Sequence, residues 1–209
     1  MACCAPANDF FDAAWAQRDL RRYHRRGPLS SSRKLLQALG DVRDLTVMDV
    51  GGGVGAITHG VLTAGATHVT AVDASEAYLE ALLSEAEHLG HADRVQAKHG
   101  NYTVLAKSLD PVDILTMDRV LCCYEDVESL LTHATSRARR RIGLVFPRGT
   151  LVSRLALRIF NAVQRLRRHA FRVHYHTPEH VTELLAAEQF APAQLDTTLL
   201  WQIAVYERT

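Results

Sequence analysis

Four glycines in five positions, Gly51, Gly52, Gly53 and Gly55, follow directly on the apolar run Thr46-Val47-Met48-Asp49-Val50 and precede a helix-compatible stretch from Ala56 to Ala64. An apolar run of this length ending in glycines reads as a buried strand. The glycines let the chain turn sharply and let a ligand approach the backbone without Cβ obstruction. The helix N-terminus that follows favours polar or negatively charged groups. Such a turn is shared by dinucleotide and other nucleoside binders. Asp73 narrows the choice, because it ends a second strand, His68 to Asp73, 22 residues after Gly51. A carboxylate there can accept both hydroxyls of a ribose in the crevice at the strand C-termini.

The strand–helix alternation continues along the chain. Ser75 to Leu89 carries Tyr78, Leu79, Leu82, Leu83 and Ala86 on one helical face. Further strands are predicted over Arg94–Lys98, Val112–Met117 and Ile142–Phe146, with a helix over Val127–Ala138. Such alternation implies parallel pairing in an open, doubly wound α/β sheet covered on both faces. Ahead of it, Asp9 to Arg26 predicts one amphipathic helix stopped by Gly27-Pro28. Ser30, Ser31 and Ser32 then offer N-caps for a helix closed by Gly40. After it, Leu151–Leu166 reads as a helix, and His176-Thr177-Pro178-Glu179 starts another that runs to about Glu188. Gln194 to Glu207 reads as two strands with no helix between them, an antiparallel hairpin that brings the sheet to seven strands. The expected organisation is one domain: a helical lid (1–40), a cofactor-binding core (41–150), substrate-side helices (151–192) and a terminal hairpin (193–209).

Charge is segregated. The net charge is only +1, yet residues 1–45, 46–136, 137–172 and 173–209 carry +3, −9, +11 and −4. This pattern excludes a uniformly basic nucleic-acid coat or a uniformly acidic tail. No apolar stretch approaches the roughly 20 residues a membrane span needs, and Met1–Asp12 lacks the early positive charges and apolar run of a secretory signal. The four cysteines form two adjacent pairs, Cys3-Cys4 and Cys122-Cys123, unlike a disulfide scaffold. Reduced thiols and a cytoplasmic location are expected.

At the motif Asp49-x-Gly51-x-Gly53-x-Gly55 the chain resembles the class I S-adenosylmethionine-dependent methyltransferases. The resemblance covers roughly residues 40–209. A dehydrogenase fits less well, since its fingerprint spaces the glycines as Gly-x-Gly-x-x-Gly. The resemblance implies S-adenosyl-L-methionine as cofactor, held by Asp49, Gly51, Gly52, Gly53 and Gly55, by Asp73 and Ala74 after the second strand, and by Gly100-Asn101-Tyr102 after the third. Gly100-Asn101 stands where the family often has Gly-Asp, exchanging a charge for an amide that can accept from the adenine amino group. After the fourth strand, Asp118 and Arg119 complete the cofactor set, and the residues to Tyr124 are expected beside the methionine end. A weaker similarity links the C-terminal half to magnesium-protoporphyrin O-methyltransferases.

The candidate catalytic residues are Tyr23, Cys122, Tyr124 and His176. Tyr23, with Arg26, ends the first helix, from which a side chain can reach the methionine carboxylate. Cys122 and Cys123 read either as a soft cavity wall or as small hydrophobes packing a loop. His176 belongs to a cluster with His174 and His180, and histidine suits a general base near neutral pH. No metal is expected, since adjacent cysteines lack spaced-ligand geometry. Leu151, Val152, Leu155, Ile159, Phe160, Val163 and Leu166 share a face of the inserted helix, with arginines elsewhere on it. Docking on the sheet with a lid role is expected. A dimer contact and a membrane-surface segment are the other readings of such a face. The predicted function is methyl transfer to a heteroatom of a small, fairly apolar molecule. A thiol is placed ahead of a hydroxyl or carboxylate because no obvious base follows the fourth strand. RNA modification and a non-catalytic nucleoside-binding module are the alternatives. No stable nucleic-acid partner is expected, because the arginines are not interleaved with stacking aromatics. A homodimer is compatible with the sequence.

Overall fold

The computed structural model describes residues 5–209, with side chains described from residue 7. Cys3 and Cys4 lie outside the described residues. Three helices lead in: α1 (Ala5–Phe10), α2 (Ala13–Arg26) and α3 (Ser30–Ala38). The single helix expected over Asp9–Arg26 is therefore broken, because the Asp12 side chain accepts the Trp15 N–H and starts a new helix. The serines do not cap α3. Leu29 is its N-cap and makes no side-chain cap bond, while Ser31 and Ser32 are buried inside the helix.

The body alternates β1 (Thr46–Val50), α4 (Ala56–Thr63), β2 (His68–Asp73), α5 (Glu76–His88), β3 (Val95–His99), α6 (Tyr102–Leu105), β4 (Val112–Asp118), α7 (Val127–Arg137) and β5 (Ala138–Pro147). Then come α8 (Leu151–Leu166), α9 (Pro178–Ala187), β6 (Phe190–Thr197) and β7 (Trp201–Arg208). The seven strands lie in the order β3-β2-β1-β4-β5-β7-β6. All neighbours are parallel except β5–β7 and β7–β6, which are antiparallel. The hairpin begins at Phe190, earlier than its expected start, because Pro192 and a register shift between Pro192 and Gln194 interrupt an edge strand without ending it.

One face of the sheet packs Met48, Val50, Leu115, Met117 and Leu144 against α7 and α9 residues such as Leu130, Leu131 and Val181. The other packs Val47, Val69, Ile114 and Val145 against Leu35 of α3 and Ile57 and Val61 of α4. The sheet order reverses at β1–β4, so the chain leaves these two strands toward opposite faces and opens a crevice at their C-terminal ends.

The helix α8 departs from expectation. Its inward residues are Ser153 and Gln164, both buried, with Phe160 and Asn161 partly covered between them. The Asn161 amide donates to the Val173 carbonyl and accepts the Val173 N–H, and the Ser153 hydroxyl donates to the Arg148 carbonyl. These backbone partners turn the polar side of α8 inward. Leu151, Val152, Leu155, Ile159, Val163 and Leu166 are left exposed, the reverse of the docking expected for them.

Candidate functional site

The loops leaving β1, β2, β3 and β4 and the helices α1 and α2 enclose a cavity of about 210 Å³. Gly51 forms its floor. Its φ is +67°, its N–H donates to the Val72 carbonyl at 2.6 Å, and a Cβ on it would fall 2.3 Å from Val120 Cγ2. Only glycine satisfies both the backbone and the space. Gly53, also at positive φ, donates its N–H to Asp73 Oδ2 at 3.0 Å. The Ser75 N–H donates to Asp73 Oδ1 at 2.9 Å. Burial in the wall raises the Asp73 pKa, against the lowering effect of the Ser75, Gly53 and Ala74 N–H groups. Each carboxylate oxygen accepts one backbone bond and keeps acceptor capacity toward the cavity.

The wall carries a second charged group across β1 from Asp73. Asp118, at the end of β4, accepts from the Ser32 hydroxyl and from Arg119 Nε, the latter at 3.0 Å. Arg119 adopts φ +65°, in the left-handed region, and is anchored by its N–H to the Val145 carbonyl at 2.8 Å. Asp19 of α2 also lines the cavity and attracts the Arg119 guanidinium. Two carboxylates and one guanidinium thus converge on one side of the loop after β1, with Asp73 on the other.

The α1–α2 segment is held from several directions. The Ser75 hydroxyl donates to the Phe11 carbonyl at 2.6 Å, and the Tyr78 hydroxyl to Asp19 Oδ2 at 2.8 Å. Phe10 stacks on Phe171 with centroids 4.9 Å apart, and Phe11 and Phe160 meet the same ring edge-on.

Gly51, Gly53, Asp73, Ala74, Gly100, Tyr102, Asp118, Arg119 and Tyr124, all expected at the site, line the cavity. Asp49, Gly52, Gly55 and Asn101 lie behind it. Asp49 is 1% exposed and accepts from the Thr58 and Thr116 hydroxyls at 2.8 and 2.9 Å, binding α4 to β4 beneath the loop. Burial pushes its pKa up to about 7. Gly52 packs against Leu82 and Asp49, and Gly55 against His59, where a Cβ would clash. Asn101 caps α6 and accepts the Tyr124 hydroxyl at 2.9 Å, so its side-chain oxygen is already engaged by the chain.

Three of the catalytic candidates fall outside the cavity wall. Tyr23 borders a separate open groove with His24 and Glu85, because it lies beyond the Asp19 turn of α2; Arg26 lines neither space. His176 directs Nε2 to the Tyr124 carbonyl at 2.8 Å, and burial lowers its pKa. Cys122 is buried, and its neighbour Cys123 lines the wall instead; both thiols approach the Arg119 carbonyl. The mutual hydrogen bond of the pair lowers the Cys122 pKa and raises that of Cys123. The short 3-10 turn over Leu121–Cys123 sets this one-residue shift. Sequence reasoning did not single out Phe11, Asp19, Ser75 and Tyr78 for the site. A lone acidic residue in the arginine-rich run Arg18–Arg26 was the available sign for Asp19.

The wall suits the implied cofactor. The floor glycines leave backbone where a nucleoside needs room, Asp73 suits ribose hydroxyls, and the mixed charges suit an amino-acid zwitterion. Among the described residues no cluster of metal-ligating side chains occurs and no helix is long and apolar enough to cross a membrane.

Comparisons with known proteins agree with this geometry. Residues 47–141 match the family model described as a methyltransferase domain. A search of curated proteins returns no match. Among solved structures, magnesium protoporphyrin IX methyltransferase from Synechocystis PCC 6803, with bound S-adenosylhomocysteine, is 22% identical with a TM-score of 0.75. That alignment covers 97% of this chain and 98% of the other. Geranyl diphosphate C-methyltransferase from Streptomyces coelicolor A3(2) is 14% identical with a TM-score of 0.70, covering 86% and 77%. An O-methyltransferase family 2 protein from Planctomyces limnophilus DSM 3776, in complex with apigenin, is 16% identical with a TM-score of 0.71, covering 94% and 62%. With the glycine floor and Asp73 both inside the matched stretch, residues 47–141 form a methyltransferase domain, on a fold shared with magnesium protoporphyrin IX methyltransferase.

Proposed function

We propose that the chain is an S-adenosylmethionine-dependent methyltransferase acting on an ionised heteroatom, thiolate or carboxylate, of a small apolar molecule. The observation that carries this reading is the make-up of the cavity wall. It offers carboxylates, tyrosines, a thiol and an arginine, and no imidazole is among its described lining residues. A neutral hydroxyl needs a positioned base, and the wall carboxylates are already engaged, Asp73 by two backbone N–H groups, Asp118 by Ser32 and Arg119, and Asp19 by Tyr78. A thiol, with an ordinary pKa of about 8.5, ionises appreciably near neutrality, and a carboxylate is ionised already.

When bound, S-adenosylmethionine supplies a methyl group already activated on a sulfonium. The protein's work is then positioning, which accounts for much of the rate in such reactions. Asp73 holds the ribose hydroxyls, and Arg119 with Asp118 and Asp19 orients the amino-acid end. Phe11, Val120 and Cys123 give the acceptor an apolar, soft surround, which supports the thiol as leading acceptor. The α1–α2 lid excludes water.

A carboxylate acceptor is the second reading. The similarity to magnesium protoporphyrin IX methyltransferase over 97% of the chain favours it. Release of S-adenosylhomocysteine across a panel of thiols, carboxylic acids and phenols tests both readings. Turnover is expected with the first two classes. Turnover confined to phenols overturns the ionised-acceptor reading, and cofactor binding without turnover on any class overturns the small-acceptor reading.

A further inference from the structure

The six exposed apolar residues of α8 form a stripe, and its chemistry points to a specific surface. At about 100° per residue, Leu151, Leu155, Ile159 and Leu166 lie within one narrow arc, widened on one side by Val152 and Val163. Leu151 and Leu166 at the two ends are 82% and 85% exposed, so the stripe runs the whole helix. Arg154, Arg158 and Arg165 project along the opposite edge. Among the described residues none of the three joins an ion pair. The Arg154 guanidinium lies 5.4 Å from the Tyr175 ring centroid, which holds it beside the helix.

Contiguous exposed apolar surface of this kind marks an interaction site. A stripe of leucine, isoleucine and valine bordered by arginines, on a helix too short and too charged to span, is the pattern of a helix lying in a membrane interface. Residues 137–172 contain 11 arginines and no acidic residue. Pairing this face with a second copy of itself brings arginine edges together with no carboxylate of the segment between them. An anionic surface matches the same edge.

We propose that α8 docks the protein on an anionic phospholipid bilayer, with the stripe at the acyl boundary and Arg154, Arg158 and Arg165 at the headgroups. The fold leaves α8 free to do so, because the side it turns inward is the other one, with Ser153 and Asn161 bonded to the flanking Arg148 and Val173, Gln164 buried and Phe160 packed on the rings of Phe10 and Phe171. This inference stands on α8 alone and is independent of the acceptor assigned above.

Cosedimentation of the full chain with lipid vesicles tests it. Binding is expected to vesicles of phosphatidylcholine mixed with phosphatidylglycerol, to weaken as salt is raised, and to be far weaker with phosphatidylcholine alone. The triple variant R154Q/R158Q/R165Q is expected to lower partitioning about 100-fold, and L155D/I159D to lower it at least as much. Both variants alter exposed positions and are expected to keep the wild-type circular dichroism and cofactor affinity, which separates lost docking from lost folding. The proposal is overturned if the wild-type chain stays in the supernatant with mixed vesicles or if the triple variant sediments like the wild type. A dimer that L155D/I159D dissociates, with no vesicle binding by the wild type, assigns the stripe to self-association and overturns it equally.

Discussion

The Tyr78 hydroxyl donates to Asp19 across 2.8 Å, fastening α2 to α5 over the cavity. Burial raises the Tyr78 pKa above its ordinary value, and Asp19 raises it further, so the phenol stays a donor throughout the neutral range. A hydrogen bond from a neutral group to a partly exposed carboxylate contributes about 1 kcal/mol. Tyr78→Phe is therefore expected to lower the melting temperature by about 2–4 °C, measured by thermal unfolding, and to weaken cofactor binding by up to about five-fold, measured by titration calorimetry.

Asp73 has the larger effect on the same measurement. Its carboxylate accepts the Gly53 and Ser75 N–H groups and faces the cavity. Asp73→Ala removes the proposed acceptor for the ribose hydroxyls and leaves two backbone donors without their partner. A loss of cofactor affinity of about 100-fold is expected, in line with about 1.5–3 kcal/mol per charged hydrogen bond. Affinity within three-fold of wild type would show that the ribose is held elsewhere.

Gly51 tests the cavity floor. An alanine there meets Val120 Cγ2 and must hold a positive φ. The backbone cost of about 1–2 kcal/mol and an overpacking cost of similar size predict a drop in the melting temperature. At about 2–4 °C per kcal/mol, Gly51→Ala loses several degrees. The double variant G51A/V120A removes the clash but not the backbone cost and is expected to recover about half the loss. Recovery in the double variant separates steric crowding from conformational strain.

Asp49 predicts a pH dependence. Its folded pKa of about 7 is raised above the unfolded value by burial. Between about pH 4 and pH 7 the folded state thus holds a proton that the unfolded state has lost. Stability from this group falls as pH rises through that window and levels off above it. Asp49→Asn keeps the shape and one acceptor for the Thr58 or Thr116 hydroxyl. Urea unfolding at several pH values is expected to show a shallower decline for the variant than for the wild type, and a gain in relative stability at pH 8. An unchanged slope would assign the ionisation elsewhere.

What the sequence disclosed follows from where the information lies. The glycines after β1 and the carboxylate ending β2 are local signals, since each conformation or ligand contact is written in the residue itself. Asp49 shows the limit of such reading. It occupies the motif, but whether it faces the ligand depends on Thr116, 67 residues away. The same holds for α8: its periodicity was plain, yet the Asn161–Val173 bonds and buried Gln164 decide which side turns inward. Cys122 and Cys123 differ by one position, and only the 3-10 turn beneath them selects the one that faces the cavity. Phe11 and Asp19 enter the wall because α1 and α2 fold back over the crevice, a juxtaposition that a periodic pattern does not encode.

The ring cluster at the lid has a kinetic meaning. Phe10 and Phe11 lie at the end of α1, Phe160 belongs to α8 and Phe171 to the segment after it, so ring packing joins the α1–α2 junction to α8 and the segment that follows it. Because Phe11 of this cluster also lines the cavity, exchange of fresh for spent donor is expected to part and re-form that joint. The residence time of the nucleoside is then expected to depend on these ring contacts as well as on the polar wall, since opening of such covers limits turnover in many enzymes.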